Sequence, residues 1–210
     1  MPDAPPPAWL KPHGAPWRDH GGEQVFDNPW MTVTRHDATA PTGRPAVYGK
    51  IHFKNLALAV LPLHEDGTVT LVGQHRFAMM DYVWEIPEGG GPLEVEPLES
   101  IRRELREEAG LEATDWREVL RFQISNSLTD ERGMAWIATG LTAVPAEPDA
   151  TEAITVARVP FREALDAVVN GWIEDAMTVA TVLRAYHMAR EGELPAPLAR
   201  LMLGEDRTGA

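Results

Sequence analysis

Nine residues, RRELREEAG from Arg102 to Gly110, constrain this chain more than any other stretch. They crowd Glu104, Glu107 and Glu108 into five positions, and like charges three or four residues apart on a helix repel. Pro97 suits a first helical turn and Gly110 suits the position just past the end, which predicts a helix of roughly 13 residues and about 20 Å. At about 100° per residue, Leu98, Ile101, Leu105 and Ala109 share one stripe, the predicted buried face. Glu108, Glu104 and Glu107 follow one another around one flank; Arg102, Arg106, Glu99 and Arg103 take the other. A helix that serves only solubility intersperses its signs, with pairs such as Arg103–Glu107 or Glu99–Arg103 one turn apart. Collecting carboxylates beside the apolar face instead suits a hard divalent cation, which takes oxygen ligands and prefers one or two carboxylates together with phosphate oxygens. Directly upstream stands WEIPEGGG, Trp84 to Gly91, a strand end and a glycine-rich turn whose backbone can approach a ligand closely.

Charge and composition limit what such a site can serve. The net charge is −13 and the pI is near 4.9. Nucleic-acid binders gain affinity by neutralising phosphates with Lys and Arg, so no general polyanion surface is expected, and a phosphate ligand needs a local device. With 210 residues, 44% of them apolar and 7 Trp, one domain with a small extension can bury a real core. The absence of cysteine excludes disulfides and thiolate metal sites. The 7 histidines are scattered, with no pair at metal-ligand spacing. MPDAPPPAWL lacks a basic stretch followed by an apolar run, and LALAVLPL falls far short of the ~20 residues of a membrane span. A soluble, cytoplasmic protein without nucleic-acid or membrane partners is expected.

The patterning divides the chain. Residues 1–24, with six prolines, read as a flexible segment. Residues 25–54 hold MTVTRH and AVYGKIHF around the turn-forming APTGRP, a strand pair that would make a small N-terminal antiparallel sheet. Residues 55–192 form the main domain: LALAVLPL and TVTLVGQHR flank HEDG, a hairpin signal, and further strands lie around WREVLRFQI and MAWIATGL. FREALDAVVNG and IEDAMTVATVLRAYHMAR carry helical spacing, the first with a glycine stop. Residues 193–210 read as a tail. The fold class is α+β, a mixed sheet with helices packed on it.

EIPEGG followed by RRELREEAGL resembles the Nudix box, the signature of the Nudix hydrolases. That pattern runs Gly, five residues, Glu, seven residues, then Arg-Glu-aliphatic-any-Glu-Glu-any-Gly-aliphatic. Gly89 takes the first position, and Arg103, Glu104, Leu105, Glu107, Glu108, Gly110 and Leu111 complete the second half. Such a match arises by chance about once in 10⁵ chains of this length. One position departs: Val95 stands where the family has the Glu that braces the motif Arg, with Glu94 and Glu96 on either side. The resemblance implies a mixed sheet sandwiched by helices, with magnesium, or manganese as a substitute, held by Glu104, Glu108 and the carbonyl of Glu88. Gly89, Arg103 and Gly110 would be structural parts of the motif.

QHRF, WEIP, SNSLTDERG and GWIEDAMT look like the branch that hydrolyses ADP-ribose and nucleoside diphosphate sugars, and the likeness covers most of residues 25–190. It implies that water attacks one phosphorus of a pyrophosphate, giving a nucleoside monophosphate and a sugar phosphate. Glu131 matches the catalytic base on the loop after the box, Asp130 is the runner-up, and Glu107 and Glu108 remain catalytic candidates within the box. Arg76 matches a position that holds a phosphate or the terminal sugar. Trp30 lies in the N-terminal sheet, which in this branch helps form the base pocket and a homodimer interface. Trp84 and Trp136, in strand-like runs, read as core. Two other readings stand beside this one: a Nudix enzyme acting on nucleoside triphosphates, and a Nudix-fold sensor that binds a nucleotide without cleaving it, suggested by Val95.

Overall fold

The computed structural model describes residues 5–147, 151 and 153–205; the outer ends of the two terminal segments, residues 1–4 and 206–210, lie outside the described residues. The chain divides into two units, residues 1–53 with 127–130, and residues 54–126 with 131–210.

In the first unit, β1 (Arg18–Asp27), β2 (Met31–Thr39) and β3 (Pro45–Phe53) form an antiparallel sheet in the order β1-β2-β3. The pair β2/β3 keeps an unbroken register from Met31↔Phe53 to Thr39↔Pro45. The sheet has three strands where the patterning suggested two, and β1 starts at Arg18, inside the segment read as flexible. Every residue of β1 is exposed, and its register shifts between Asp19 and Gly22. A strand that buries neither face leaves no alternation to detect. The short segment 127–130 joins this unit along β3: Ile51 N donates to Leu128 O (3.0 Å), Asp130 N donates to Ile51 O (3.2 Å), and the Tyr48 hydroxyl donates to Ser127 O.

The second unit is built on a hairpin pair. β4 (Asn55–Pro62) and β5 (Thr68–Arg76) flank the His64–Gly67 turn, where the Asp66 carboxylate accepts from Thr68 N at 3.1 Å and Gly67 takes φ +77°. β6 (Asp81–Glu85) and β7 (Glu88–Pro92) follow, then α1 (Pro97–Ala109), β8 (Leu111–Gln123), β9 (Arg132–Ala143), β10 (Thr155–Pro160), α2 (Phe161–Val169), α3 (Ala176–Arg190) and α4 (Ala196–Leu203). The strands make a four-stranded sheet, β7-β4-β9-β8, and a three-stranded one, β10-β5-β6. β4 and β9 run parallel while their outer neighbours are antiparallel, so the larger sheet is mixed, as expected.

Strand β4 is buried on both faces. Leu58 and Val60 meet Ile101 and Leu105 of α1 together with Trp136; Ala59 and Leu61 turn to the opposite core with Phe161, Val182, Met188 and Met202 of the three C-terminal helices. Two faces covered by helices give a continuous apolar run, which explains LALAVLPL. Helix α1 occupies the residues its pattern predicts, with Pro97 in its first turn and Gly110 in the left-handed conformation (φ 61°) at its end. Residues 193–210, read as a tail, contain α4: Ala199 and Met202 are buried in the core. Pro195 and Pro197 look like breakers in sequence, but proline is tolerated in a first helical turn. Trp136 is core as expected, and Trp84 packs half-buried against the larger cluster.

Candidate active site

Helix α1 lies across the sheet with its charges graded by depth. Ile101 and Leu105 are fully buried, Glu108 is 3% exposed, Glu104 and Glu107 are intermediate, and Arg102, Arg103 and Arg106 face solvent. The carboxylates thus sit beside the apolar stripe. Glu108 reaches the glycine-rich strand β7 and accepts from Glu88 N at 2.9 Å. Glu104 packs on the next residue: a Cβ built on Gly89 would lie 2.3 Å from the Glu104 carboxyl carbon and within 2.7 Å of both its oxygens. Glycine at position 89 is therefore the space in which that carboxylate rests. Glu104, Glu108 and the backbone at Glu88–Gly89 converge.

A second acidic group adjoins the first. Glu85, Glu88 and Asp175 bring ligand atoms within 4.8 Å of one another. Glu85, buried at the end of β6, accepts from Gln74 Nε2 (2.9 Å) and from Arg76 Nη2 (2.5 Å) and Nε (3.2 Å). Arg76 Nη2 also reaches Glu88 Oε1 at 3.1 Å. Asp175 caps α3 by accepting from Thr178 N (2.7 Å), and the Thr178 hydroxyl accepts from Ile86 N (3.0 Å), which fastens the WEIP turn to that helix. Burial raises the Glu88 carboxyl well above its ordinary range, and the neighbouring Asp175 and Glu85 charges add to the rise. Burial likewise raises Glu85 against the pull of Arg76. Glu88 Oε2 is buried with no hydrogen-bond partner, a costly state for a carboxylate oxygen unless a proton or a cation meets it. The donor set is all oxygen. Together with the carboxylate cradled against Gly89, it fits a hard divalent ion.

Arg76 is thus bonded to carboxylates of β6 and β7. Sequence patterning missed the Glu85–Glu88–Asp175 group: it combines a strand end, the first residue of the next strand and a helix cap some 90 positions away, and only the Glu88 carbonyl was expected to contribute.

The two acids of the loop separate. Asp130 belongs to the first unit, where its carboxylate takes Lys50 Nζ at 2.8 Å, His52 Nδ1 at 2.9 Å and Phe53 N at 3.2 Å. Burial alone would raise its carboxyl, but Lys50, His52 and Phe53 N together hold it low. Glu131, in the second unit with the box, immediately precedes β9, and desolvation raises its carboxyl. A raised carboxylate suits a base working near neutrality better than a depressed one. Trp30, in the first unit, is 64% exposed on the β1–β2 turn, where its N–H donates to Asn28 Oδ1 at 2.9 Å.

The motif Arg finds its partners on its own helix. Arg103 Nη2 donates to Glu104 Oε1 and Nη1 to Glu107 Oε2, each at 2.5 Å. Val95 is 38% exposed, and Glu96 serves as the N-cap position of α1. Among the described residues, neither Glu94 nor Glu96 takes over the brace.

A mixed sheet between helices, with a carboxylate-lined helix packed on a glycine-rich strand, defines an α+β fold whose oxygen-rich site suits a divalent ion. Comparison with known proteins agrees. Residues 54–178 match the NUDIX domain, and residues 17–51 match the nucleoside diphosphate sugar hydrolase N-terminal domain. An ADP-ribose pyrophosphatase of Mycobacterium tuberculosis is 32% identical over 146 residues, 68% of this chain and 70% of that protein. One of Bacillus subtilis is 27% identical over 162 residues, 76% and 87% of the respective chains. A solved structure described as an ADP compounds hydrolase superposes with a TM-score of 0.77 over 88% of this chain and 100% of its own, at 19% identity, a likeness of fold. The chain belongs to the Nudix hydrolase family, and its two matched regions give it the organisation of the enzymes that resemble ADP-ribose and nucleoside diphosphate sugar pyrophosphatases.

Proposed function

We propose that the enzyme hydrolyses the pyrophosphate bond of ADP-ribose or a nucleoside diphosphate sugar, releasing a nucleoside monophosphate and a sugar phosphate. The observation that carries the proposal is the convergence of Glu104 and Glu108 on the Glu88–Gly89 backbone, in a chain that also matches the N-terminal domain of nucleoside diphosphate sugar hydrolases. Glu104, Glu108 and the Glu88 carbonyl would hold magnesium, with manganese as a substitute, and Glu88 Oε2 offers a further buried oxygen. When bound, the divalent ion supplies charge neutralisation of the diphosphate and acidification of water. This chain's residues do the rest. Glu131 positions and deprotonates the attacking water, Glu107 being the alternative, and Glu108 keeps the glycine-rich strand in register with the helix. Arg76 holds Glu85 and Glu88 in place, so its contribution to substrate binding runs through them.

Trp30 is proposed to stack on the nucleobase. The N-terminal sheet, with exposed Val25, Phe26, Trp30 and Val47, is proposed to close a homodimer, which sedimentation of the full chain would test. A cytoplasmic location belongs to the same proposal, to be checked by fractionation; no helix among the described residues is long and apolar enough to cross a membrane.

The test of function incubates ADP-ribose, GDP-mannose, UDP-glucose and a nucleoside triphosphate with magnesium and separates the products by anion exchange. A nucleoside monophosphate with a sugar phosphate is expected. Pyrophosphate release from the triphosphate alone, or binding without turnover on every substrate, would overturn the proposal.

A further inference from the structure

Arg103 bonds two carboxylates of α1 at once, bridging Glu104 Oε1 and Glu107 Oε2. Three features make this contact more than a brace. Both pairs lie along a single helix, so the arginine fastens no second element. Val95 gives it no carboxylate elsewhere, and the flanking Glu94 and Glu96 do not bind it. Finally, Arg103 is 51% exposed while Glu104 is 13% and Glu107 31% exposed, so the cation is the most solvent-accessible member of the trio. On its outer side α1 borders a cavity of about 580 Å³ whose lining includes Arg103, Arg106, Glu107, Glu112, Trp116 and Glu147. There a displaced guanidinium meets solvent, beside Glu112 and Glu147, which face Arg106 at 3.9 and 3.7 Å.

The geometry points to Arg103 as a removable internal counter-ion that sets the enzyme's divalent-metal requirement. Its guanidinium bonds Glu104 Oε1 and Glu107 Oε2, and a metal drawing on the Glu104 carboxylate would compete with it for that charge. Metal affinity is then the difference between two cations for the same carboxylate, and losing the resident cation strengthens the incoming one. The sign is the point. An arginine that merely positions Glu104 weakens metal binding when removed, whereas a competitor tightens it.

This inference rests on the proposed metal site, and the experiment separates the two. Manganese is titrated calorimetrically into the full-length, nucleotide-free protein as wild type, Arg103→Ala, Arg103→Gln, Arg103→Lys, Arg102→Ala and the double variant Glu104→Gln/Glu108→Gln, with folding checked by circular dichroism. Arg103→Ala and Arg103→Gln should each bind manganese about three- to tenfold more tightly than wild type, the range that two partly exposed ion pairs span. Arg103→Lys, which keeps the charge, should stay close to wild type. Arg102→Ala removes the same charge from a residue that instead stacks on Trp116, 5.7 Å from the ring centroid, and should change affinity less than twofold. Equal or weaker binding in whichever of the two neutral Arg103 variants folds would overturn the inference, as would equal tightening in Arg102→Ala. If wild type and the Glu104→Gln/Glu108→Gln variant bind manganese alike, it is the metal site itself that is wrong.

Discussion

Gly89→Ala isolates the geometry of the site from the stability of the fold. The added methyl would lie 2.3 Å from the Glu104 carboxyl carbon, where ordinary contact begins at 3.4 Å, and the obstructing atoms are the far end of a flexible side chain. Glu104 therefore retreats by about 1 Å, and the strand stays. Its neighbour is the control: at Gly90 the methyl meets only Asn55, at 3.4 Å or more. The fold should tolerate both changes, with melting temperatures within about 4 °C of wild type, because a shift of 1 kcal/mol moves a domain of this size by about 2–4 °C. Function should not tolerate the first. Magnesium holds its oxygen ligands at about 2.0–2.1 Å with little angular freedom, and a misplacement of about 1 Å at a reacting centre costs about 10²-fold. Turnover of ADP-ribose in millimolar magnesium should fall about 10²-fold in Gly89→Ala and less than about threefold in Gly90→Ala. Equal activity of the two variants would refute the placement of Glu104 as a ligand; a molten Gly89→Ala protein would refute the claim that only a side chain moves.

Millimolar magnesium should raise the melting temperature of wild type by preferential binding to the folded state, and Glu104→Gln/Glu108→Gln should abolish most of that rise in a thermal-shift assay. Glu131→Gln keeps size and reach but cannot take a proton, so kcat should fall by about 10² to 10⁴ with little change in KM. Its raised carboxyl also places the acidic limb of the wild-type kcat profile above the usual carboxylate range, and that limb should vanish in the variant. In the His64–Gly67 turn, the Thr68 hydroxyl and then Arg158 hold the Asp66 carboxyl far below its ordinary value of 3.8. A depressed acid contributes stability above its unfolded value that is lost as pH falls through the folded one. Asp66→Asn should therefore lower the melting temperature by about 2–4 °C at pH 7, the discounted worth of an exposed network, and by progressively less below about pH 4.

What could be read from the sequence was what is local and periodic. The stripe of Ile101 and Leu105, the stop at Gly110 and the carboxylates beside them follow from one helical period, and the turn at Asp66-Gly67 follows from two residues. The strands of the mixed sheet were visible because β4 and β9 bury apolar runs. β1 was not, because it buries nothing. Helix α4 was hidden by the prolines that open it. The Glu85–Glu88–Asp175 group was hidden for a different reason: no local spacing couples a residue of β6 to the cap of α3, and the link through Ile86 and Thr178 exists only after the chain has folded.

The fate of Asp130 and Glu131 shows how far neighbouring acids can diverge once partners are assigned. In sequence they are equivalent candidates. In the structure, Asp130 Oδ2 meets both Lys50 and His52 while Oδ1 takes a backbone N–H, so it is held as an anion by Lys50 and these hydrogen bonds. Protonating it would forfeit those charge-assisted bonds, which makes it a poor base and a good anchor. Glu131 has the opposite balance, since burial is the cause that moves its carboxyl and it moves upward. If the anchor matters because it fixes the start of the segment that leads through Glu131 into β9, Asp130→Asn should lower kcat through Glu131 without flattening the acidic limb of the pH profile, whereas Glu131→Gln removes the limb itself. A flattened limb in Asp130→Asn and an intact one in Glu131→Gln would reverse the two roles.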